Sequence, residues 1–267
     1  MDDFPELLLS SGKRDLVIDP PIMNTSGMLG FADEARRHLD YTRLGALITN
    51  TISFDARTPA NPPRILQYPG GFLLHTGHPN SGLSRVISTY QRTWREMPIP
   101  VIVNLLALSA DEAAGMVQKL EGLENVMAVE MLVRAEPTGE AQALVAAACS
   151  GELPVIVRVP LTASVELGNL VQEAGAQAIS LGPPRGSLPA PKGEFVSGRM
   201  YGSAMLLLGI EAVQRFVAEV DLPILGGCGI TTQPELASAI EAGAAGVQLD
   251  YNLWRHRDHL LVVNENL

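Results

Sequence analysis

Apolar residues recur along this chain as short, nearly unbroken runs, and most runs are followed by a stretch with apolar positions three and four apart. The runs predict strands at 21–26 (PIMNTS), 45–51, 100–106, 126–132, 154–159, 176–182, 222–227 and 245–250. The stretches between them predict helices at 32–40, 83–96, 110–122, 138–150, 164–174, 203–219 and 232–242. In the third of these, Ala113, Met116, Val117 and Leu120 share one face behind a Ser109/Asp111 start. In the last, Thr232 and Pro234 open the helix and Gly243 closes it. Strands that are apolar throughout, rather than alternating, suit parallel strands covered by helices. The expected fold is therefore α/β, a (β/α)8 TIM barrel formed as a single domain over residues 1–267. A doubly wound sheet would carry GxGxxG after its first strand, and SGMLG (26–30) does not match.

Two segments interrupt the alternation. Residues 52–82 follow the second strand and 183–202 follow the sixth, both rich in Pro, Gly and polar residues. Both are expected as long loops leaving strand C-termini, on the face where barrel enzymes keep their sites. The first ends in GHPNSG (77–82), a sequence unsuited to helix or strand.

Composition narrows the function. The chain is 46% hydrophobic and 18% charged, enough for a large core. Its net charge of −10 argues against sequence-independent binding to nucleic acid or an anionic membrane. Cys149 and Cys228 lack CxxC spacing, so neither a disulfide scaffold nor a zinc site is indicated. The start, MDDFPELLLSSGKRD, is not a signal peptide, and no apolar run approaches the roughly 20 residues of a membrane span. A cytoplasmic protein acting on a small-molecule ligand is the default expectation.

Polar residues at strand C-termini mark the barrel mouth: Asn24 and Ser26, Asn50 and Thr51, Asn104, Glu130 and Arg134, Arg158, Gly182, Cys228 and Asp250. An amide offers donors and an acceptor without charge, which suits a heteroaromatic edge, although a strand-end Asn also caps turns. Arg158 lies in an otherwise apolar strand and needs an anion, either Glu130 one strand away or a ligand. GGCGI (226–230) is placed to cradle a phosphate at a helix start, or is a plain strand exit. His75 and His78 read as solvated loop histidines, with no metal partner at suitable spacing.

PIMNTSGMLGFADE, LGALITNTISFDARTPANPPRI, YPGGFLLHTGHPNSGL, PVIVNLLA, PVIVRV and LPILGGCGITTQPELASAIEAGAAGVQL together resemble the class 1 dihydroorotate dehydrogenases over roughly residues 15–253. The resemblance implies an oxidoreductase of pyrimidine biosynthesis: an FMN-dependent TIM-barrel flavoprotein, homo-oligomeric or joined to an electron-transfer subunit. It carries cofactor contacts onto Thr25, Ser26, Asn50, Asn104, Arg158, Gly202, Cys228 and Gly229, and a substrate contact onto Asn80. The chain also departs from the family pattern. Asn50 and Arg158 stand where the family has lysines, and Leu132-Val133-Arg134-Ala135-Glu136-Pro137 replaces the family's strand-four motif, with Ala135 at the general base. Leu74 and Gly182 replace further polar contacts. At the phosphate end, Tyr201, Cys228 and Asp250-Tyr251 replace small residues. The catalytic residues are thus unassigned, with Glu136 the one new group able to act as a base. Two readings stay open: a flavin oxidoreductase with an altered substrate, or a diverged barrel without flavin redox activity that binds a small ligand or serves an assembly.

Overall fold

The computed structural model describes residues 4–32, 41–134, 136–191 and 193–255. The helix expected at 32–40 and the position of Ala135 lie outside them but for the helix's first residue. The chain runs β1 (Leu7–Ser10), β2 (Asp15–Ile18), β3 (Ile22–Asn24), β4 (Leu47–Ile48), β5 (Ile52–Ser53), β6 (Ile65–Tyr68), β7 (Gly71–Leu74), α1 (Leu83–Arg95), β8 (Val101–Leu106), α2 (Ala110–Glu121), β9 (Val126–Leu132), α3 (Gly139–Cys149), β10 (Val155–Pro160), α4 (Val165–Glu173), β11 (Ala178–Gly182), β12 (Arg185–Pro189), β13 (Phe195–Gly202), α5 (Met205–Val217), β14 (Ile224–Gly227), α6 (Gln233–Glu241), β15 (Gly246–Leu249) and α7 (Asn252–Arg255).

The apolar runs form eight parallel strands in the order β3-β15-β14-β11-β10-β9-β8-β4. The ring is nearly closed between β3 and β4, where Met23 bridges Ala46 and the Gly45 N–H donates to Ile22 O at 2.9 Å. Gly45 is needed there, because a Cβ would lie 2.0 Å from Pro20 O. The Asn24 amide completes the seam, its Oδ1 accepting the Ile48 N–H at 2.8 Å and its Nδ2 donating to Ile48 O at 2.6 Å. Asn24 is therefore a structural bridge. The expected (β/α)8 architecture stands, with strand ends displaced by at most three residues and α2, α3 and α6 capped by Ser109, Thr138 and Thr232.

The hairpin β1–β2 lacks a counterpart among the predicted elements. It alternates buried and exposed residues, and its buried Leu7, Leu9, Leu16 and Ile18 pack on Met23, Ile48, Ile102, Ile156 and Leu225 inside the barrel. A second apolar layer lies between the strands and the helices.

The two long excursions are not structureless loops. β6 and β7 form a hairpin over Pro69-Gly70, β12 and β13 form another, and β7 pairs antiparallel with β13 from Leu74↔Arg199 to Gly71↔Gly202. The result is one four-stranded sheet, β12-β13-β7-β6. The approach at Gly71 is close enough that a Cβ would lie 2.0 Å from Tyr201 O.

Candidate functional site

Above the apolar floor of the barrel lies a polar layer. Glu130, fully buried in β9, is its hub. Its Oε1 accepts from Ser180 Oγ and from Gln248 Nε2, each at 2.7 Å. Its Oε2 accepts from Asn104 Nδ2 at 2.5 Å and pairs with the Arg158 guanidinium at 3.5 Å. Arg158 also donates to Gln248 Oε1 at 2.9 Å and to Thr25 Oγ1 at 3.4 Å. The internal ion pair that the sequence offers for Arg158 is therefore formed, and Gly182 leaves room for it, since a Cβ there would meet Arg158 Nε at 2.8 Å. Ser180 and Gln248 escaped notice in the sequence; a polar residue inside an apolar strand is the signal both carry.

Of the expected cofactor contacts, Thr25, Asn104 and Arg158 meet in this layer. Ser26 donates to Thr49 O at 2.9 Å, and Thr49 Oγ1 ties Asn50 to Asn104 by donating to Asn50 O and accepting the Asn104 N–H. Among the described residues, the Oδ1 atoms of Asn50 and Asn104 are buried without a hydrogen-bond partner. Asn80 is held within its own loop: its Oδ1 accepts the Gly82 N–H at 2.9 Å, and its Nδ2 donates to Ser53 Oγ and His78 O at 3.0 Å.

Gly202, Cys228 and Gly229 come together at the ends of β13 and β14, where a Cβ on Gly229 would lie 2.8 Å from Gly202 O. The Gly229 N–H donates to Asp250 Oδ2 at 3.0 Å. Asp250 is 1% exposed, and its Oδ1 has no hydrogen-bond partner among the described residues. Burial pushes its carboxyl up to about 6, opposed by the N–H groups of Gly229 and Tyr251 and by Arg158. Cys228 keeps φ at 72°, a left-handed conformation that glycine adopts without strain. Burial and Asp250 raise its thiol far above neutrality, so it is no ready nucleophile. Tyr201 fills the same end, 1% exposed and stacked on Phe72 at 5.4 Å.

At the opposite side of the mouth a cavity of about 560 Å³ opens between the ends of β8, β9 and β10, the start of α3 and the β12–β13 hairpin. Arg134, Arg185, Arg199 and His78 line it together with Glu136 and Glu140. His78 is not solvated: its Nε2 lies 2.9 Å from Arg199, and burial followed by the field of Arg199, Arg57, Arg158 and Arg185 pushes it down to about 3. Among the described residues no group of three or more His, Cys, Asp or Glu is arranged to hold a metal, and no helix is long and apolar enough to cross a membrane.

A family model described as dihydroorotate dehydrogenase matches residues 14–142, from β2 into α3. Several relatives named dihydroorotate dehydrogenase B (NAD(+)), catalytic subunit, align beyond that range. The protein of Geotalea uraniireducens is 27% identical over 265 residues, covering 89% of this chain and 87% of its own. That of Maridesulfovibrio salexigens is 28% identical over 255 residues (88% and 84%), and that of Desulforudis audaxviator 27% over 252 (87% and 82%). The chain is thus similar to dihydroorotate dehydrogenases over most of its length. The matched segment contains Asn50, Asn104 and Glu130 but stops short of Tyr201 in β13 and of Cys228 and Asp250, which directly follow β14 and β15.

Dihydroorotate dehydrogenases depend on FMN. The ring end of such a cofactor finds complementary atoms here, since the bare Oδ1 atoms of Asn50 and Asn104 can each accept an N–H. The phosphate end does not fit. Its backbone donor at Gly229 already serves the buried Asp250 carboxylate, and the other bare atoms there, Asp250 Oδ1 and Asn252 Oδ1, are acceptors facing what would be a group of acceptors. Two unit charges of like sign repel by about 4 kcal/mol at roughly 4 Å and an effective dielectric of about 20.

Proposed function

We propose that this chain is a dihydroorotate dehydrogenase-fold barrel, acting as one domain, that binds a small ligand at its mouth without seating FMN in the family's usual pose. The observation that carries this reading is the Asp250 carboxylate on the Gly229 N–H, an internal anion where a phosphate would need a donor. Ala135 at the position of the general base supports it. Thr25, Ser26, Asn104 and Arg158 then hold the barrel's upper layer together, with Asn50 and Asn104 turning bare carbonyl oxygens to the ligand. The purified full chain should be colourless and should take up no FMN at micromolar concentrations, as followed by visible absorbance and quenching of flavin fluorescence. Stoichiometric uptake with micromolar affinity would overturn the reading.

The same two bare oxygens favour a second reading, a flavin oxidoreductase whose substrate is not dihydroorotate. It requires Asp250 to turn away from the phosphate or to be protonated when FMN binds. A yellow purified protein supports it. In either case we place the chain in a homo-oligomer or beside a partner subunit, in keeping with relatives named as catalytic subunits.

A further inference from the structure

The 560 Å³ cavity beside β9 concentrates positive charge on a chain whose net charge is −10. Arg134 comes from the loop after β9, Arg185 from β12 and Arg199 from β13. Among the described residues, none of the three has a carboxylate within 4.0 Å. Among the described residues Arg185 donates to a backbone carbonyl, Ser197 O at 3.4 Å, and Arg199 to the neutral ring of His78. A half-buried guanidinium such as Arg199 without a counter-anion is costly, and this one is packed with its imidazole partner in a strained loop, His78 having φ 55°. Burial, with Arg158 and Arg185 nearby, lowers the guanidinium's affinity for its proton. Glu136 and Glu140 also line the cavity, so three guanidiniums stand against two carboxylates. The rest of the wall is largely apolar: Leu106, Leu132, Leu144, Pro160 and Pro183.

We infer that this cavity is an oxyanion site: Arg134, Arg185 and the His78-braced Arg199 hold a carboxylate or phosphate whose apolar body lies against Leu106, Leu132 and Pro160. A planar guanidinium fork matches either oxyanion in a bidentate manner. The ligand class is a small, singly anchored apolar acid or phosphate ester, in place of a polar pyrimidine ring. This inference rests on the reading of the barrel mouth as a small-ligand site, and its test does not involve FMN.

The test is calorimetric titration of the full chain with benzoate, phenyl phosphate and inorganic phosphate. One of the two aryl anions should bind at least tenfold more tightly than inorganic phosphate, and which one binds identifies the anchoring group. Raising the salt concentration should weaken that binding. Arg134→Met and Arg185→Met, both at exposed positions that leave the core untouched, should each weaken it at least tenfold, and Arg92→Met, exposed on α1 outside the cavity, should leave it unchanged. Failure of both aryl anions to bind at millimolar concentration overturns the inference, as does binding that survives both arginine substitutions. Stoichiometric FMN uptake together with arginine-dependent binding of the aryl anion would overturn the proposed function and leave this site standing.

Discussion

At the β14–β15 end of the mouth, the chain supplies its own anion to a backbone donor; under β12 and β13, among the described residues, three guanidiniums share a cavity with two carboxylates and have none within 4.0 Å. The titratable groups mirror this. Asp250 is an acid held above its ordinary value and His78 a base held below its own, so burial favours the neutral form at both ends. Between them runs the layer centred on Glu130, where charge and counter-charge meet inside the barrel. On the proposed reading, one barrel closes an anion seat at one end of its mouth and opens another over the same parallel strands.

The largest effect should come from the layer joining the two ends. Glu130→Ala leaves Arg158 buried without a counter-charge, and urea unfolding should show a loss of about 3–5 kcal/mol. Glu130→Gln, which keeps the shape, should recover part of it. A loss below about 1 kcal/mol would mean that Gln248 and Thr25 suffice for the guanidinium.

The ends themselves should respond to pH with opposite sign. Between the unfolded value of 3.8 and the folded value of about 6, the native Asp250 retains a proton that the unfolded chain has released, so its contribution to stability falls as pH rises. Integrated over that window the loss is about 3 kcal/mol. For His78 the unfolded chain takes up a proton near 6.5 that the native state refuses until about 3, so its contribution is full above 6.5 and is lost as pH falls. Over pH 4–6 the two oppose one another. Asp250→Asn should unmask a stability that rises with pH, and His78→Asn, which tolerates the left-handed backbone, one that falls with pH. Slopes of equal sign in the two variants would break the contrast.

A smaller effect should sharpen the account of the closed end. If Asp250 alone blocks the seat, Asp250→Ser should raise FMN affinity at least tenfold, about 1.4 kcal/mol. No gain would place the obstruction with Tyr201 or Cys228, which are buried beside it.

The barrel was legible because buried parallel strands are written as continuous apolar runs; β9 spans 126–132 as its run predicts. Arg158 was legible for the same reason, as a charge that such a run cannot hold alone. The four-stranded cap was not, because its middle seam joins residues 71–74 to 199–202, and no local pattern encodes a pairing that distant. Half-exposed β6 and β7 offered only a weak alternation around Pro69-Gly70, a turn signal that a hairpin reading could have used. Missing the cap hid the arginine cluster, since Arg185 and Arg199 fall in a segment expected as loop and meet at one cavity only through the sheet. The hairpin β1–β2 was masked by its brevity, though Leu7, Leu9, Leu16 and Ile18 alternate as a half-buried pair should.

The seam between β7 and β13 also imposes an order on biosynthesis. A nascent chain presents β7 long before the ribosome has delivered Gly202, so until then that edge has no mate from its own molecule. Unmated edges invite pairing with other chains, so products that stop before β13 should aggregate where the finished protein does not.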